Sequence, residues 1–400
     1  MTTKAAPRRP PLFPYYPALD GLRGYFAIAV LLHHFSGNDW FGGALLLMPG
    51  FFVLSGFLIA SLLIAEHQRD GRIDIGNFLI RRAKRLLPAS FLTMFIVAIL
   101  WNLYELRFPG SVDPEEVRHN TNMQILASVF YVQNWYVATG PVWTTFGAYF
   151  YPGAPGPSPV GHFWSLAVEE QFYLVFPFIA VISLGLLGGR RALAVVIVVG
   201  LILSVGLAPT IDGTHGMEKF YRMHRIYVGT DVRAAEFLIG TLMAVLFSYP
   251  AIRRWITTSR WVTVAGIAAM ALVTYWVFAE LVISYWLYER GGFAMVGAAF
   301  APLIFSLTQS RGVLVRLLDV RLLRWIGERS YGMYVYHVVL MTGLWGPTDS
   351  WPVVARVALL SVCTMIVSGL SYTYFEQPIR RGSRPWRKDK KSPPAQSRAI

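Results

Sequence analysis

Residues 19–34 read LDGLRGYFAIAVLLHH, and this stretch decides the fold class of the chain. It predicts an apolar helix with Asp20 and Arg23 at its beginning and two histidines at its end. At about 100° per residue, Arg23 and His34 fall within about 20° of each other, whereas His33 points about 100° away. Asp20 lies about 40° to the other side of His34, so the three polar groups share one face. At about 1.5 Å per residue, Arg23 and His34 are about 16 Å apart along the axis, and one long ligand could contact both.

The composition extends this apolar character to the whole chain. Apolar residues make up 55% of the 400 residues and charged residues 14%, and the mean hydropathy is +0.47. Several runs of about 20 residues carry almost no charge, which is the length that crosses a bilayer core about 30 Å thick. We therefore predict an all-α polytopic membrane protein instead of two or three soluble domains. About ten transmembrane helices are expected, near residues 21–36, 42–65, 87–105, 164–187, 192–208, 229–248, 261–281, 292–308, 325–345 and 353–375.

The distribution of basic residues predicts orientation in the membrane, although a net charge of +14 first suggests nucleic-acid binding. With ten spans, one side of the membrane receives 26 of the 36 lysines and arginines, and the other side receives 6. This bias predicts that both termini are cytoplasmic. Segment 123–138 is apolar but short, and we expect it to be re-entrant or to lie at the outer interface. Residues 1–17 are then a cytoplasmic segment, 18–378 the transmembrane domain, and 379–400 a basic, disordered cytoplasmic tail.

Ionisable side chains within apolar spans are costly, and they are therefore candidates for function. His34 projects from an apolar helix on the face that carries Arg23, although a structural histidine bonded to a carbonyl is the alternative. The Asp20–Arg23 pair is equally compatible with a structural ion pair. The single cysteine, Cys363, lies in an apolar run, so the chain has no disulfide framework and no thiol metal site.

A second polar cluster lies in IDIGNFLIRRAKRLLPAS, residues 73–90, just before the third predicted span. Arg82 and Arg85 are three residues apart and share a helical face. Guanidinium groups bind phosphate oxygens in a bidentate geometry, so the pair is a candidate phosphate site. The alternative is a cytoplasmic anchor of the membrane helix. Pro88 suits the first turn of that span.

The fourth span begins WSLAVEEQFYLVFP, with Trp164 and Glu169 near its outer end. A carboxylate there could act as a base, orient a histidine or bind sugar hydroxyls beside the tryptophan. The alternative is an aromatic belt at the membrane interface with solvated acids.

The sixth span begins with Asp231 and Arg233, which are two residues apart. Residues at this spacing do not face each other on a helix, so we expect them to contact different neighbours.

The ninth span contains ERSYGMYVYHVVL, which places Ser330, Tyr334 and His337 on one face beside Tyr331. This face is either part of the site or an interhelical hydrogen-bond seam. Glu376 closes the last span next to basic residues, and a salt bridge to a cytoplasmic arginine is the favoured interpretation.

Taken together, these stretches resemble the type-3 family of integral membrane acyltransferases. The similarity covers nearly the whole chain, and seven motifs in the right order are hard to obtain by chance. The motifs are LDGLRGYFA with His34, PGFFVLSGFLI (49–59), RRAKRLLP (81–88), WSLAVEEQFYL (164–174), DVRAAEFLIG (231–240), IGERSYGMYVYH (326–337) and FEQPIRR (375–381).

The resemblance implies transfer of an acyl group from cytoplasmic acyl-CoA, with acetyl-CoA the expected co-substrate, to a hydroxyl of an envelope sugar, glycolipid or macrolide. It implies a plasma-membrane protein with no permanently bound cofactor. His34 and Glu169 are the implied catalytic residues, and the implied donor-binding residues are Arg23, Arg81, Arg82 and Arg85. Supporting roles are expected for Asp20, Trp164, Asp231, Arg233, Ser330, Tyr331, His337 and Glu376. Only residues 377–400 follow the last motif acid, so the esterase-like domain that some members carry there is expected to be absent.

The mechanism that we expect places the donor phosphates on Arg82 and Arg85 and threads the pantetheine arm through the helices. His34 then deprotonates the acceptor hydroxyl or becomes transiently acylated, and Glu169 orients His34 or holds the acceptor.

The competing class of protein is a transporter or flippase that uses the buried ionisable groups as a relay. Against it, no pair of interrupted spans marks repeated halves. A membrane scaffold or sensor would not need aligned polar groups.

Overall fold

The computed structural model describes residues 13–36, 41–103, 114–139, 158–211, 222, 224–278, 290–348 and 350–382. Most of the predicted cytoplasmic segment 1–17 and of the predicted tail 379–400 lies outside these ranges. The described residues form helices and no strand.

The α-helices are α1 (Pro17–Ser36), α2 (Leu47–Asp70), α3 (Ile75–Leu103), α4 (Pro114–Val129), α5 (Gln133–Thr139), α6 (Trp164–Val181), α7 (Arg190–Leu207), α8 (Thr230–Phe247), α9 (Pro250–Thr258), α10 (Arg260–Phe278), α11 (Gly292–Ser306), α12 (Val313–Leu318), α13 (Arg321–Thr348), α14 (Val353–Ser371) and α15 (Gln377–Arg381). Turns of 3₁₀-helix precede α2 at Gly42–Leu46 and α6 at Gly161–Phe163. Turns of π-helix follow α6 at Ile182–Leu186 and α14 at Tyr372–Glu376.

Each predicted span coincides with a helix, and the chain is a helical membrane protein. Within the described ranges, six helical stretches are long and apolar enough to cross a bilayer, or seven when the bent pair α8–α9 is one span. The two helices of that pair meet at 100°. Helix α11 is apolar but has only 15 residues. Segment 123–138, whose path the sequence leaves open, lies in α4 and α5.

Helix α3 begins earlier than predicted. Its first residue is Ile75, because the side chain of Asp74 accepts a hydrogen bond from the backbone N–H of Asn77 at 2.9 Å and caps the helix. The same hydrogen bond lowers the pKa of the Asp74 carboxyl below its usual value. Pro88 therefore lies inside α3 instead of in its first turn. The arginines of the basic cluster consequently belong to a regular helix, and their spacing fixes where they point.

Two glycines bring α1 and α13 into backbone contact. A Cβ atom on Gly24 would lie 2.2 Å from a carbonyl oxygen of α13, and one on Gly327 would lie 1.8 Å from a carbonyl oxygen of α1. Further along the two helices, the rings of His34 and His337 are 5.0 Å apart. The partners keep the same order along both helices, so α1 and α13 run parallel. Small residues permit this close approach between membrane helices.

Helices α2 and α8 pack in the same way. A Cβ atom on Gly56 would lie 2.1 Å from the carbonyl oxygen of Phe237, and one on Gly240 would lie 1.9 Å from that of Val53. The ring of Phe52 stacks on that of Phe237 with centroids 4.6 Å apart. These contacts place α2 against the buried core, where it forms one wall of the cavity described next.

Candidate active site

A cavity of about 80 Å³ lies between α1, α2, α3, α6 and α13. On α1 its wall is formed by Arg23, Ala27, Val30 and Leu31. These residues recur at the helical spacing, so the cavity follows the face that the sequence predicts to carry Arg23 and His34. The structure therefore brings together polar residues from distant motifs along one face of α1.

Three arginines form the charged part of the cavity wall. Arg82 is oriented by aromatic rings, since its guanidinium carbon lies 4.9 Å from the ring centroid of Tyr173 and 5.7 Å from that of Phe78. In the described part of the chain, neither Arg82 nor Arg85 forms an ion pair with a carboxylate. The carboxylate of Glu169 attracts Arg82 without pairing with it, whereas the guanidinium groups of Arg23, Arg82 and Arg85 repel one another. Three cations against one carboxylate on the wall give this part of the cavity a positive charge that can attract an anion.

The third arginine, Arg23, is held by a neighbouring carboxylate. Its guanidinium lies 3.7 Å from the carboxylate of Asp20, as the sequence predicts. Asp20 also accepts a hydrogen bond of 2.6 Å from the hydroxyl of Tyr15. Asp20 is therefore shared between two donors, and it orients Arg23 toward the cavity.

Arg81 does not reach the cavity, contrary to its predicted role in donor binding. Its side chain is 55% exposed and lies 3.6 Å from the carboxylate of Glu66. Because Arg81 precedes Arg82 by one residue, its side chain is rotated by about 100° around α3, away from the cavity.

Glu169 lies on the cavity wall together with its hydrogen-bond donors. Its carboxylate accepts a hydrogen bond of 2.6 Å from Ser55 and another from the hydroxyl of Tyr173. Among the described residues it forms no hydrogen bond with His34. The expected orientation of His34 by Glu169 is therefore not seen, because Ser55 and Tyr173 hold the carboxylate in the part of the cavity that contains Arg82.

Three histidines form a row at the other end of the cavity. The ring of His337 lies 5.0 Å from that of His34 and 5.0 Å from that of His162, measured between centroids. His337 lines the cavity, whereas His34 is not part of the cavity wall and is half-buried. The neighbour of His34 is thus an imidazole of α13, which the sequence places only among the supporting residues.

The tautomers of the two inner histidines follow from their backbone contacts. Nδ1 of His34 lies 3.0 Å from the carbonyl oxygen of Val30, and Nδ1 of His337 lies 2.6 Å from that of Tyr334. A carbonyl oxygen only accepts hydrogen bonds, so both Nδ1 atoms carry the hydrogen. In the neutral rings, Nε2 of each histidine is therefore the basic nitrogen.

The hydroxyls of α13 form the interhelical seam that the sequence offers as an alternative. Tyr331 donates to the carbonyl oxygen of Leu86 at 2.6 Å, and Tyr334 donates to that of His162 at 2.8 Å. Ser330 instead donates within its own helix, to Gly327 at 2.9 Å. All three residues also line the cavity. The face therefore serves both as a seam and as a cavity wall.

Arg356 holds the end of α1 next to His34. Its Nε donates to the carbonyl oxygen of Phe35 at 3.3 Å, and a terminal nitrogen lies 3.5 Å from that of Ser36. The guanidinium also lies 4.2 Å above the ring of Trp345. A cation at a helix C-terminus stabilises the last carbonyl groups. Sequence reasoning missed this role, although an arginine within a span was a sufficient signal.

Asp231 and Arg233 contact different neighbours, as predicted. Asp231 forms a two-pronged ion pair with Arg225, with distances of 2.9 and 2.5 Å. Arg233 lies 3.1 Å from Glu236, and both side chains are 0% exposed. Four rings surround the Arg233 guanidinium at 3.9–5.8 Å, those of Phe52, Trp164, Tyr227 and Phe293. Of these residues, only Phe52 also lines the cavity. Trp164 is only 3% exposed, so the interfacial-belt interpretation of that residue is wrong.

The predicted salt bridge of Glu376 is also wrong within the described part of the chain. Its carboxylate accepts a hydrogen bond of 3.1 Å from Ser371 and faces Gly332, at 3.3 Å from a Cβ atom built there. The π-turn at the end of α14 rotates Glu376 into the protein, whereas Arg380 is exposed. Ser371 in turn lies 2.8 Å from the hydroxyl of Tyr336, so the link from Glu376 to α13 runs through two hydroxyl groups.

Comparison with known proteins assigns most of the chain, including all the helices around the cavity, to one family domain. A family model described as an acyltransferase domain matches residues 16–117 and 123–373. The chain is 32% identical over 377 residues to the peptidoglycan O-acetyltransferase OatA of Listeria monocytogenes, which covers 92% of this chain and 56% of that protein. It is 31% identical over 371 residues to the O-acetyltransferase OatA of Staphylococcus aureus, with 92% and 57% covered. The chain thus spans little more than half the length of the curated relatives that it matches. No solved structure matches the chain.

Proposed function

The chain belongs to the type-3 family of membrane acyltransferases, and from this premise we propose that it transfers an acyl group from cytoplasmic acyl-CoA to a hydroxyl of a cell-envelope sugar. The observation that carries the proposal is that the wall of one cavity contains Arg82 and Arg85 as well as His337, the neighbour of His34. Such a cavity has a site for phosphate and a site for proton transfer, which are the two requirements of an acyl-CoA-dependent O-acyltransferase.

Donor binding uses the arginines in this proposal. Arg82 and Arg85 bind the phosphates of acyl-CoA, and Arg23 adds a third positive charge. The acyl arm then follows the apolar face of α1 toward His34. Arg23 and His34 are about 16 Å apart along the axis, so only an extended molecule spans the distance. Acetyl-CoA is the proposed donor, because the relatives named above are O-acetyltransferases.

Acceptor activation uses the histidine end of the cavity. Nε2 of His34 removes the proton from the acceptor hydroxyl, or it carries the acyl group transiently. Glu169 binds a hydroxyl group of the acceptor from the α6 side. The proposed acceptor is a sugar of the peptidoglycan type, because the Listeria relative is a peptidoglycan O-acetyltransferase.

The orientation that fits this reaction has ten spans, with the arginine end of the cavity at the cytoplasmic side of the plasma membrane. The bias of 26 basic residues on one side against 6 on the other supports it. The parallel packing of α1 and α13 supports it independently, because an odd number of crossings must separate two parallel spans. Helices α2, α3, α6, α7, α8, α10 and α11 supply seven crossings, provided that α4 and α5 do not cross.

The experiment is acyl transfer by the purified protein in nanodiscs, with radiolabelled acetyl-CoA and soluble peptidoglycan fragments. We expect the unaltered chain to produce a labelled ester and His34→Ala to produce none, while the variant remains monodisperse. Labelled ester from His34→Ala would contradict the role of that residue. Movement of label or of acceptor across the membrane without any ester would contradict the enzyme and favour a carrier.

A further inference from the structure

The hydroxyl groups on the cavity wall have already donated their hydrogens within the protein. Each donates to a carbonyl oxygen or to a carboxylate, namely Ser55 and Tyr173 to Glu169, Ser165 and Tyr334 to the carbonyl of His162, Ser330 to that of Gly327 and Tyr331 to that of Leu86. Apart from the arginines, the polar wall therefore offers a ligand acceptors of hydrogen bonds instead of donors.

His337 is the member of this wall with an unused nitrogen. The residue is 0% exposed, and its Nε2 has no hydrogen-bond partner in the described part of the chain. Burying a polar atom without a partner is costly, and such an atom commonly marks a place where a ligand supplies the missing group. Because Nδ1 donates to Tyr334, the unused Nε2 must receive a proton or a hydrogen bond from whatever occupies the cavity.

We propose that His337 is a second catalytic residue, and that it protonates the thiolate that leaves when the acyl group is transferred. The inference rests on the proposed function above. The donor approaches through the cavity, whose wall includes His337 but not His34. The sulfur of the thioester thus meets His337, while His34, in the next position of the row, meets the acceptor hydroxyl.

The proton follows the row of rings, and the step is balanced. The hydroxyl proton moves to Nε2 of His34 as the acceptor oxygen bonds to the carbonyl carbon of the thioester. The proton then passes to Nε2 of His337, over the 5.0 Å that separate the ring centroids. The carbon–sulfur bond breaks with its electron pair on sulfur, and the thiolate takes the proton from His337. The products are an ester, the CoA thiol and two neutral imidazoles.

The surroundings of His337 favour one shared proton. The titratable groups against its ring are His34 from α1, His162 from the turn before α6, and Tyr334 from its own helix. None of them is a carboxylate. Two imidazolium cations at this separation would repel each other, so His34 and His337 hold at most one additional proton at any point of the reaction.

The test compares two donors that differ in their need for an acid. The thiolate of CoA is the stronger base of the two leaving groups and benefits more from protonation, whereas para-nitrophenolate leaves without it. With acetyl-CoA, we expect His337→Gln to lower kcat by about 10²–10⁴-fold, the usual contribution of general acid–base catalysis, with KM little changed. With para-nitrophenyl acetate, the loss should be less than about tenfold, and His34→Gln should lose activity with both donors.

The matched control is His224→Gln. Burial lowers the pKa of His224 to about 4, so this variant also removes a buried, neutral imidazole, and it does so outside the cavity wall. We expect it to retain activity with both donors. Equal losses for His337→Gln with the two donors, or full activity with acetyl-CoA, would overturn the inference while the activity of the unaltered chain upholds the proposed function. No transfer by the unaltered chain would overturn both.

A second measurement does not depend on whether His337→Gln folds. On the unaltered chain, the solvent deuterium isotope effect on kcat should be larger with acetyl-CoA than with para-nitrophenyl acetate, because only the first reaction includes protonation of the leaving group. Equal isotope effects with the two donors would overturn the inference.

Discussion

Replacing Arg82 with glutamine should weaken acyl-CoA binding, and the structure gives the size of the effect. The guanidinium is held by the ring of Tyr173 and forms no close ion pair with a carboxylate in the described residues, so binding a phosphate does not first require breaking one. A hydrogen bond to a charged group contributes about 1.5–3 kcal/mol. At about 1.4 kcal/mol per factor of ten, Kd for acetyl-CoA should rise by about 10- to 150-fold.

The neighbouring residue provides a control of identical chemistry. Arg81→Gln removes the same charge from a side chain that is 55% exposed and paired with Glu66. Exposed ion pairs contribute only about 0–1 kcal/mol, so we expect Kd for acetyl-CoA to change by less than about fivefold. If donor binding followed only the net charge of the basic cluster, the two variants would behave alike.

The assay is titration calorimetry of acetyl-CoA into the protein in nanodiscs at two salt concentrations. Loss of a phosphate contact should reduce the salt dependence for Arg82→Gln and leave it unchanged for Arg81→Gln, because screening weakens the attraction between separated charges. An unchanged Kd for Arg82→Gln, or an equal loss for both variants, would refute the assignment of Arg82 to the donor phosphates.

Two further predictions concern packing and are checked by the thermal midpoint of the purified protein. Gly24→Ala should destabilise the protein by at least about 1–3 kcal/mol, because its Cβ would lie 2.2 Å from a carbonyl oxygen of α13; Gly343→Ala, with no atom within 4 Å of its Cβ, is the control and should not destabilise. Arg233→Met should cost about 3–5 kcal/mol by leaving Glu236 buried without its partner, and adding Glu236→Gln should recover most of the loss. A stable Gly24→Ala would contradict the first prediction, and a double variant as unstable as the single one would contradict the second.

The sequence predicts those features of the site that are set by the spacing of residues along a single helix. The common face of Asp20, Arg23 and His34 follows from the helical repeat, and so do the divergent partners of Asp231 and Arg233. The long apolar runs likewise predict the spans, because their length is set by the bilayer. These features depend only on spacing along the chain. The structure shows the contact of Asp20 with Arg23 and the separate partners of Asp231 and Arg233, and it contains six or seven helical stretches that could cross a bilayer within the described ranges.

The parts that the sequence does not predict depend on contacts between helices. Nothing in the spacing pairs His34 with His337, which is 303 residues away and approaches only because Gly24 and Gly327 allow the backbones to touch. His162 joins the row from the turn before α6, which contacts α13 through hydrogen bonds with Tyr334 and Val335. Glu169 was expected beside His34, but the packing of α2 against α6 brings Ser55 to its carboxylate, next to Tyr173 of its own helix. Helical periodicity gives the direction of a side chain and not the identity of the helix that it meets.

The most direct test of the account is a structure of the protein with an unreactive acetyl-CoA analogue in which a methylene group separates sulfur from the carbonyl carbon. The account predicts the phosphates at Arg82 and Arg85, the arm along the cavity, and the carbonyl carbon next to the rings of His34 and His337. An analogue bound outside the cavity, or one whose phosphates occupy the arginines while its acyl end lies away from both histidines, would contradict it.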